Sequence, residues 1–217
     1  SYYGYPDIEI GSSTLRQLQS VDIGRSSGRQ FSGERLLTLM EVLRDFGNRV
    51  PLYVEFKTKH MVADQIDHLI DGFLRLTAVG RENWNLHGLC FDRAVLRRLH
   101  QTAAWLPLVW NTNRPHLIQR GQLVEQPWLD AVGCRIGHLT TPTAGIIRKA
   151  ELQLLSFTCN TETDILKARE LGVDSVITDH PEKTRRILAG RAEGSRAQPP
   201  VTSVPLQTES PQPPIDQ

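Results

Sequence analysis

The chain has 217 residues, of which 39% are hydrophobic and 23% are charged, and its formal net charge at pH 7 is +1. A chain of this length can bury one sizeable core, and its nearly balanced charge gives no reason to expect nucleic acid or an anionic membrane surface as a partner. No run approaches the roughly 20 apolar residues of a membrane-spanning helix, so we expect no membrane span.

The first residues, Ser1-Tyr2-Tyr3-Gly4, lack an initiator Met and the basic and apolar pattern of a signal peptide. We therefore expect a fragment or a processed product. Residues 1–35 predict a short helix and an irregular loop, and we interpret them as a linker or insertion region of the fold. In 36–47, apolar residues recur at helical spacing and a Gly stands where the helix would stop.

From residue 51 onward, strand-like and helix-like stretches alternate along the chain. The predicted strands are 51–56, 86–91, 106–111, 131–136, 153–159 and 174–178. The predicted helices are 36–47, 63–76, 93–101, 114–121, 142–151, 161–172 and 181–188. Because helices of crossover length join consecutive strands, the pattern predicts an α/β fold with a parallel sheet. Six strands are two fewer than a closed (β/α)8 barrel needs, and residues 1–35 do not supply the other two.

The last part of the chain, residues 190–217, is rich in Pro, Ser and Gln and has almost no aliphatic periodicity. Such a segment cannot bury enough apolar surface to offset the entropy lost on ordering. We predict a disordered tail, with a docking segment as the alternative. Residues 36–189 then form the folded domain.

Three cysteines, Cys90, Cys134 and Cys159, are far apart, and no pair has metal-ligand spacing. We interpret them as reduced thiols in the core, which favours a reducing compartment such as the cytoplasm.

The strand-like segment LYVEFK (52–57) combines an apolar pattern with two charges. Side chains alternate along a strand, so Glu55 and Lys57 share a face with Tyr53, opposite the apolar face that includes Phe56. In a parallel barrel this position is the carboxyl-end mouth, where sites are built. A buried charge there requires a metal or a counter-charge. The alternative is that Glu55 and Lys57 simply pair with each other.

None of the seven histidines has metal-ligand spacing with another. His60 is the only one that closely follows this strand, so it is a candidate for contact with a ligand. His68 and His100 lie on helical patterns, where surface or boundary positions are expected.

Four stretches in chain order resemble the glycerophosphodiester phosphodiesterase family. LYVEFK resembles its Glu-x-Lys strand, and LCFDRAVLRRL resembles its Ser-Phe-Asp strand and helix. FTCNTETDILKARELGVDSVITDHPEK is similar to its Trp-Thr-x-Asn and Thr-Asp-x-Pro ending, and TLRQLQSVDIGRSSGRQFSGERLLTLMEVL is similar to its linker. The resemblance covers about residues 14–188.

The resemblance implies a TIM-type (β/α)8 barrel of the phospholipase-C-like phosphodiesterase kind. It also implies hydrolysis of glycerophosphodiesters to an alcohol and a glycerol phosphate with one divalent metal, Ca²⁺ or Mg²⁺. Glu55 falls on a metal carboxylate, Lys57 on a lysine facing the phosphate, and Phe157 on the aromatic substrate wall. A hard cation prefers oxygen ligands, and an ammonium offsets phosphate charge in the transition state.

Several family elements are absent or changed. Cys90 replaces the Ser of Ser-Phe-Asp, Phe157 replaces a Trp, and Ser175 replaces a Gly. The chain has no His-Arg-Gly, no His-Asp and no suitable Glu-x-Asp, so both family histidines and two metal carboxylates are missing. We therefore expect a barrel lacking about its first two strand–helix units and no hydrolysis by this chain alone, with no catalytic residue assigned.

Three functional hypotheses follow. The leading one is that the chain is the C-terminal part of a glycerophosphodiester phosphodiesterase, with a small-molecule diester as its partner. The second is a non-catalytic, truncated phosphodiesterase-like protein with a binding or regulatory role. The third is an unrelated α/β barrel hydrolase, which would show different ligands around Glu55. A sheet left open would also have two exposed edges that invite pairing with other chains.

Overall fold

A computed structural model of the protein describes residues 8–190. Six strands form one sheet: β1 (Leu52–Glu55), β2 (Leu86–Cys90), β3 (Leu108–Thr112), β4 (Ala131–Arg135), β5 (Gln153–Phe157) and β6 (Ser175–Val176). The α-helices are α1 (Leu15–Gln19), α2 (Leu39–Phe46), α3 (Ala63–Thr77), α4 (Arg93–Thr102), α5 (Arg120–Val124), α6 (Thr141–Lys149), α7 (Glu162–Glu170) and α8 (Pro181–Ala189).

The strands lie in chain order, β1-β2-β3-β4-β5-β6, and every neighbouring pair is parallel. Each predicted strand overlaps an observed one, so the predictions of an α/β fold and a parallel sheet are confirmed. Within residues 8–190, β1 and β6 each have a strand on one side only. The expected pairing of such edges with other chains stays a prediction.

The helix predicted at 114–121 is wrong. Pro115 begins a single 3-10 turn that ends at Leu117, and Ile118 then adopts an extended backbone. The regular helix starts only at Arg120 and has five residues, so the connection between β3 and β4 contains one short helix.

The helices cover one face of the sheet. Under α2, α3 and α4, the side chains of Leu43, Phe73 and Leu96 pack into one buried cluster with the first strands. A second cluster lies under α6 and α7 and includes Ile147 and Ile165. Complete burial of such side chains stabilises the fold by about 1.5–3 kcal/mol each, which holds the helices on this outer face.

The opposite, inward face carries a separate buried layer from four neighbouring strands: Leu89, Val109, Ala131 and Leu155. Residues nearer the strand ends on the same face therefore project above this layer. The layer forms the floor beneath the carboxyl ends of the strands, where the sequence places the site.

Side chains cap the starts of α7 and α2. Thr161 and Asp164 form a capping box at α7, and Thr38 and Glu41 form one at α2. Arg35 lies 2.6 Å from Glu41, and its guanidinium, together with hydrogen bonds from Thr38, lowers the pKa of Glu41 to about 2.

Residues before α2 contain the short helix α1 and a loop folded around Asp22. The Asp22 carboxylate accepts hydrogen bonds from the backbone N–H groups of Gly33, Gly24 and Arg25 and from the Ser32 hydroxyl. These donors, the Gly33 N–H first, lower the pKa of Asp22. Among residues 8–190, no helix combines the length and the apolar character needed to cross a bilayer. The predicted disordered tail lies outside the described residues after Gly190.

Candidate active site

An open cleft of about 1340 Å³ lies at the carboxyl ends of the first three strands, lined mainly by residues 55–61, 90–94 and 110–114. Its basic lining residues are Lys57, Lys59, Arg93, Arg97 and Arg114, and its acidic ones are Glu55, Asp92 and Glu125. The excess of basic over acidic groups favours an anionic ligand.

Glu55 and Lys57 lie on one face of the β1 end, as predicted. The Lys57 Nζ is 3.9 Å from the Glu55 Oε2, and the two side chains are 80% and 35% exposed. Phe56, between them in sequence, is buried on the outer face. A pair this exposed contributes little stability, so both groups remain able to meet a ligand. The two alternatives are therefore compatible: Glu55 and Lys57 pair with each other, and both lie where a ligand in the cleft could contact them.

The carboxylates of this region do not form a metal site by themselves. Among residues 8–190, no three His, Cys, Asp or Glu side chains lie close enough to hold a metal ion. Asp92, also in the cleft, accepts a 2.8 Å hydrogen bond from the Ala94 N–H as the cap of α4. Ca²⁺ takes 6–8 oxygen ligands, so Glu55 alone does not make such a site among the described residues.

Asn111 was missed by the sequence analysis. It follows Val109 by two residues on β3, so it shares the inward face and projects above the buried layer. It is 5% exposed, lines the cleft, and its Oδ1 has no hydrogen-bond partner among the described residues. The available signal was a polar residue ending the otherwise apolar strand LPLVWN.

Gly133 on β4 makes room for Asn111. The two residues are register partners, and a Cβ added at Gly133 would lie 2.1 Å from the Asn111 Oδ1. The same Cβ would lie 3.6 Å from Cε1 of Phe157 on β5. The Asn111 amide and the Phe157 ring therefore approach one another over a backbone that carries no side chain.

Phe157 lines a second cavity of about 490 Å³ with Arg135, and Asn113 lines both cavities. The predicted wall residue thus adjoins the cleft that holds Glu55 and Lys57. Its ring is half-buried and meets Phe91 edge-on at 5.7 Å between centroids. Arg135, the register partner of Phe157 on β4, is exposed at the mouth and was also missed by the sequence analysis.

His60 lies in the lining of the cleft, where its backbone has a φ of 72°. No contact identifies it as a ligand-binding group, so its role stays a prediction. Cys90 instead faces the outer layer, where its thiol donates to the Phe56 carbonyl oxygen at 3.1 Å. Burial raises the pKa of Cys90, consistent with a structural thiol. All three cysteines are free and buried, as predicted.

Asn160 joins the loops that follow β5 and β6. Its Nδ2 donates to Asp179 at 2.6 Å, while its Oδ1 accepts from the Asp179 N–H at 2.9 Å and from the Thr178 hydroxyl at 3.1 Å. Lys183 of α8 donates to the Asn160 carbonyl oxygen at 3.0 Å. This network positions the loop that begins directly after Phe157.

The comparisons with known proteins agree with this geometry. The sequence model described as the glycerophosphoryl diester phosphodiesterase family matches residues 6–183. YhdW of Bacillus subtilis (strain 168) is 24% identical over 177 residues, which are 78% of this chain and 69% of that protein. A glycerophosphodiester phosphodiesterase of the same organism is 23% identical over 194 residues, 83% of this chain and 66% of that protein.

A phosphodiesterase of Oleispira antarctica, solved with its product sn-glycerol-3-phosphate, has a similar fold. The TM-score is 0.72 at 20% identity, over 85% of this chain and 74% of that one. The six-stranded parallel sheet with its outer helices therefore matches part of a barrel of this kind. The chain spans about two thirds of the length of the two curated relatives it matches.

Proposed function

Because the chain belongs to the glycerophosphoryl diester phosphodiesterase family, we propose that it forms part of a metal-dependent enzyme that hydrolyses glycerophosphodiesters. Water would replace the alcohol on phosphorus, giving the free alcohol and a glycerol phosphate. One observation carries the proposal: Glu55, Lys57 and Phe157, chosen from family motifs on separate strands, line two adjoining cavities at one mouth of the sheet.

The basic groups of the mouth suit a phosphodiester. Lys57 follows the end of β1 by two residues. Its ammonium group supplies positive charge where phosphoryl oxygens gain negative charge in the transition state. Arg135, at the end of β4, is a further exposed cation at the same mouth. When bound, a divalent metal would polarise the phosphoryl oxygens, and Glu55 is the described carboxylate that would contribute to holding it.

We propose that this chain supplies six strand–helix units and that two further units complete the barrel and its metal ligands. The inward face of β1 supports this, since Tyr53 there is 43% exposed although it lies on the barrel interior of the fold. With a single metal carboxylate and no assigned acid–base pair, the chain alone would be inactive. The three buried free thiols support the cytoplasm as its compartment.

The test is hydrolysis of glycerophosphocholine by the 217-residue chain and by a polypeptide extended upstream of Ser1, each with Ca²⁺ or Mg²⁺. We expect turnover only from the extended protein. Its Glu55→Gln variant should lose activity that excess metal partly restores, and Lys57→Met should lower kcat without altering the metal dependence. Glu170→Gln, an exposed carboxylate change on α7, is the matched control.

Two results would redirect the proposal. If the extended protein binds a glycerol phosphate yet hydrolyses no diester, the non-catalytic alternative replaces it. If Glu55→Gln is fully active at limiting metal, Glu55 is not a metal ligand, and the unrelated-hydrolase hypothesis gains support.

A further inference from the structure

The mouth contains one buried polar atom that the fold leaves unsatisfied. Asn111 is 5% exposed, and its Oδ1 has no hydrogen-bond partner among the described residues. Buried amide oxygens in native proteins are nearly always paired, because burying one without a partner is costly. An unpaired oxygen that lines a ligand cleft therefore requires a specific explanation.

The surroundings of Asn111 show which kind of group could pair with it. Its oxygen needs a donor, and a phosphodiester group has none at neutral pH. On one side lies the end of β1 with Lys57, the group assigned to the phosphate. On the other lies the Phe157 ring, with the bare backbone of Gly133 below both. A short carbon chain with a hydroxyl would place its carbons on the ring and its hydroxyl at the amide.

We propose that Asn111 is a specificity-determining residue whose Oδ1 accepts a hydrogen bond from a hydroxyl of the substrate's glycerol group. This inference rests on the proposed function, since it assumes that Lys57 faces the phosphate. Gly133 is needed for this arrangement, because the Cβ of any other residue there would clash with the Asn111 Oδ1. The buried layer of the inward face lies beneath the amide.

The first experiment uses the 217-residue chain and three phosphate monoesters, with binding followed by NMR titration. Glycerol 3-phosphate should bind more tightly than propyl phosphate, which lacks both hydroxyls, by about three- to tenfold, as expected for one hydrogen bond. Comparison with 3-hydroxypropyl phosphate then shows which hydroxyl is recognised. Equal affinities for glycerol 3-phosphate and propyl phosphate would overturn the inference while leaving phosphate binding intact. Failure of both to bind would overturn the inference, whereas the proposed function is decided separately by hydrolysis in the extended protein.

The second experiment uses Asn111→Leu, which keeps the branched shape and removes the amide. Removing a buried, unpaired polar atom leaves folding stability unchanged or raises it. We therefore expect an unchanged or higher Tm together with loss of the preference for glycerol 3-phosphate over propyl phosphate. Ser156→Ala is the control, since Ser156 is a buried polar residue bonded to the Cys134 carbonyl oxygen on the outer face of β5. A retained preference in Asn111→Leu would overturn the inference.

Discussion

Gly133→Ala adds one methyl group to the floor of the mouth. The new Cβ would lie 2.1 Å from the Asn111 Oδ1 and 3.2 Å from its Cγ, both far inside van der Waals contact. Asn111 is almost fully buried, so its amide cannot simply swing into solvent. Overpacking of this kind costs about 1–3 kcal/mol. For a chain of this size we expect the Tm to fall by about 2–10 °C.

A double-mutant cycle locates the cause of that loss. Asn111→Ala removes the clashing amide, so Gly133→Ala should cost much less in the Asn111→Ala background. The coupling free energy from urea unfolding should be about 1–3 kcal/mol, the range for residues in direct contact. Gly137→Ala, just beyond β4, is the control, because a Cβ there meets no atom within 4 Å.

Two outcomes would refute this reasoning. If Gly133→Ala unfolds at the same urea concentration as the parent, Asn111 does not occupy the space over Gly133. If Gly133→Ala lowers the free energy of unfolding equally with and without the Asn111 amide, the strain arises elsewhere in β4, and Asn111 and Gly133 are not coupled.

Three further predictions concern stability. Burial raises the pKa of Cys134 from its ordinary 9.0 to about 12, so the neutral thiol is favoured in the folded state. Its contribution to the free energy of unfolding should be fully present below pH 9.0 and fall as pH rises toward 12, and Cys134→Ala should make this fall shallower, because the buried Cys90 thiol, whose pKa is also raised, keeps part of it. Asn160→Ala should lower the free energy of unfolding by about 1–3 kcal/mol through its lost hydrogen bonds, whereas Asn83→Ala, which loses one exposed contact, should not. Thr38→Ala should cost about 1 kcal/mol by removing the cap of α2, and an equal cost in a Glu41→Ala background would show that the capping box is not cooperative.

The parts of the fold that depend on local pattern were predictable. Alternation along LYVEFK placed Glu55 and Lys57 together on the mouth side and Phe56 on the helix side, since each residue's face follows from its neighbours in sequence. The connection after β3 differs from the predicted helix at 114–121 because Pro115 begins a 3-10 turn that ends after three residues.

The parts that depend on contacts between strands were not predictable from one sequence. The closeness of Asn111 to Gly133 requires the register of β3 against β4, which joins residues 22 positions apart. Arg135 likewise becomes a mouth residue only because β4 ends level with Phe157 on β5. A polar residue at the end of an apolar strand, such as Asn111, can be identified from sequence as a candidate site residue. The residue that it contacts on the next strand can be identified only from the structure.

The strand order of the sheet also has a consequence for how the chain acquires its structure. Because each strand pairs only with its neighbours in sequence, every pairing joins residues 20 to 34 positions apart, and the sheet can grow by one strand–helix unit at a time. Opening should begin at the two ends, as in a linear array of repeats. Hydrogen exchange should therefore be slowest for amides of β4 and fastest for those of the two-residue β6, giving a gradient of protection along the chain.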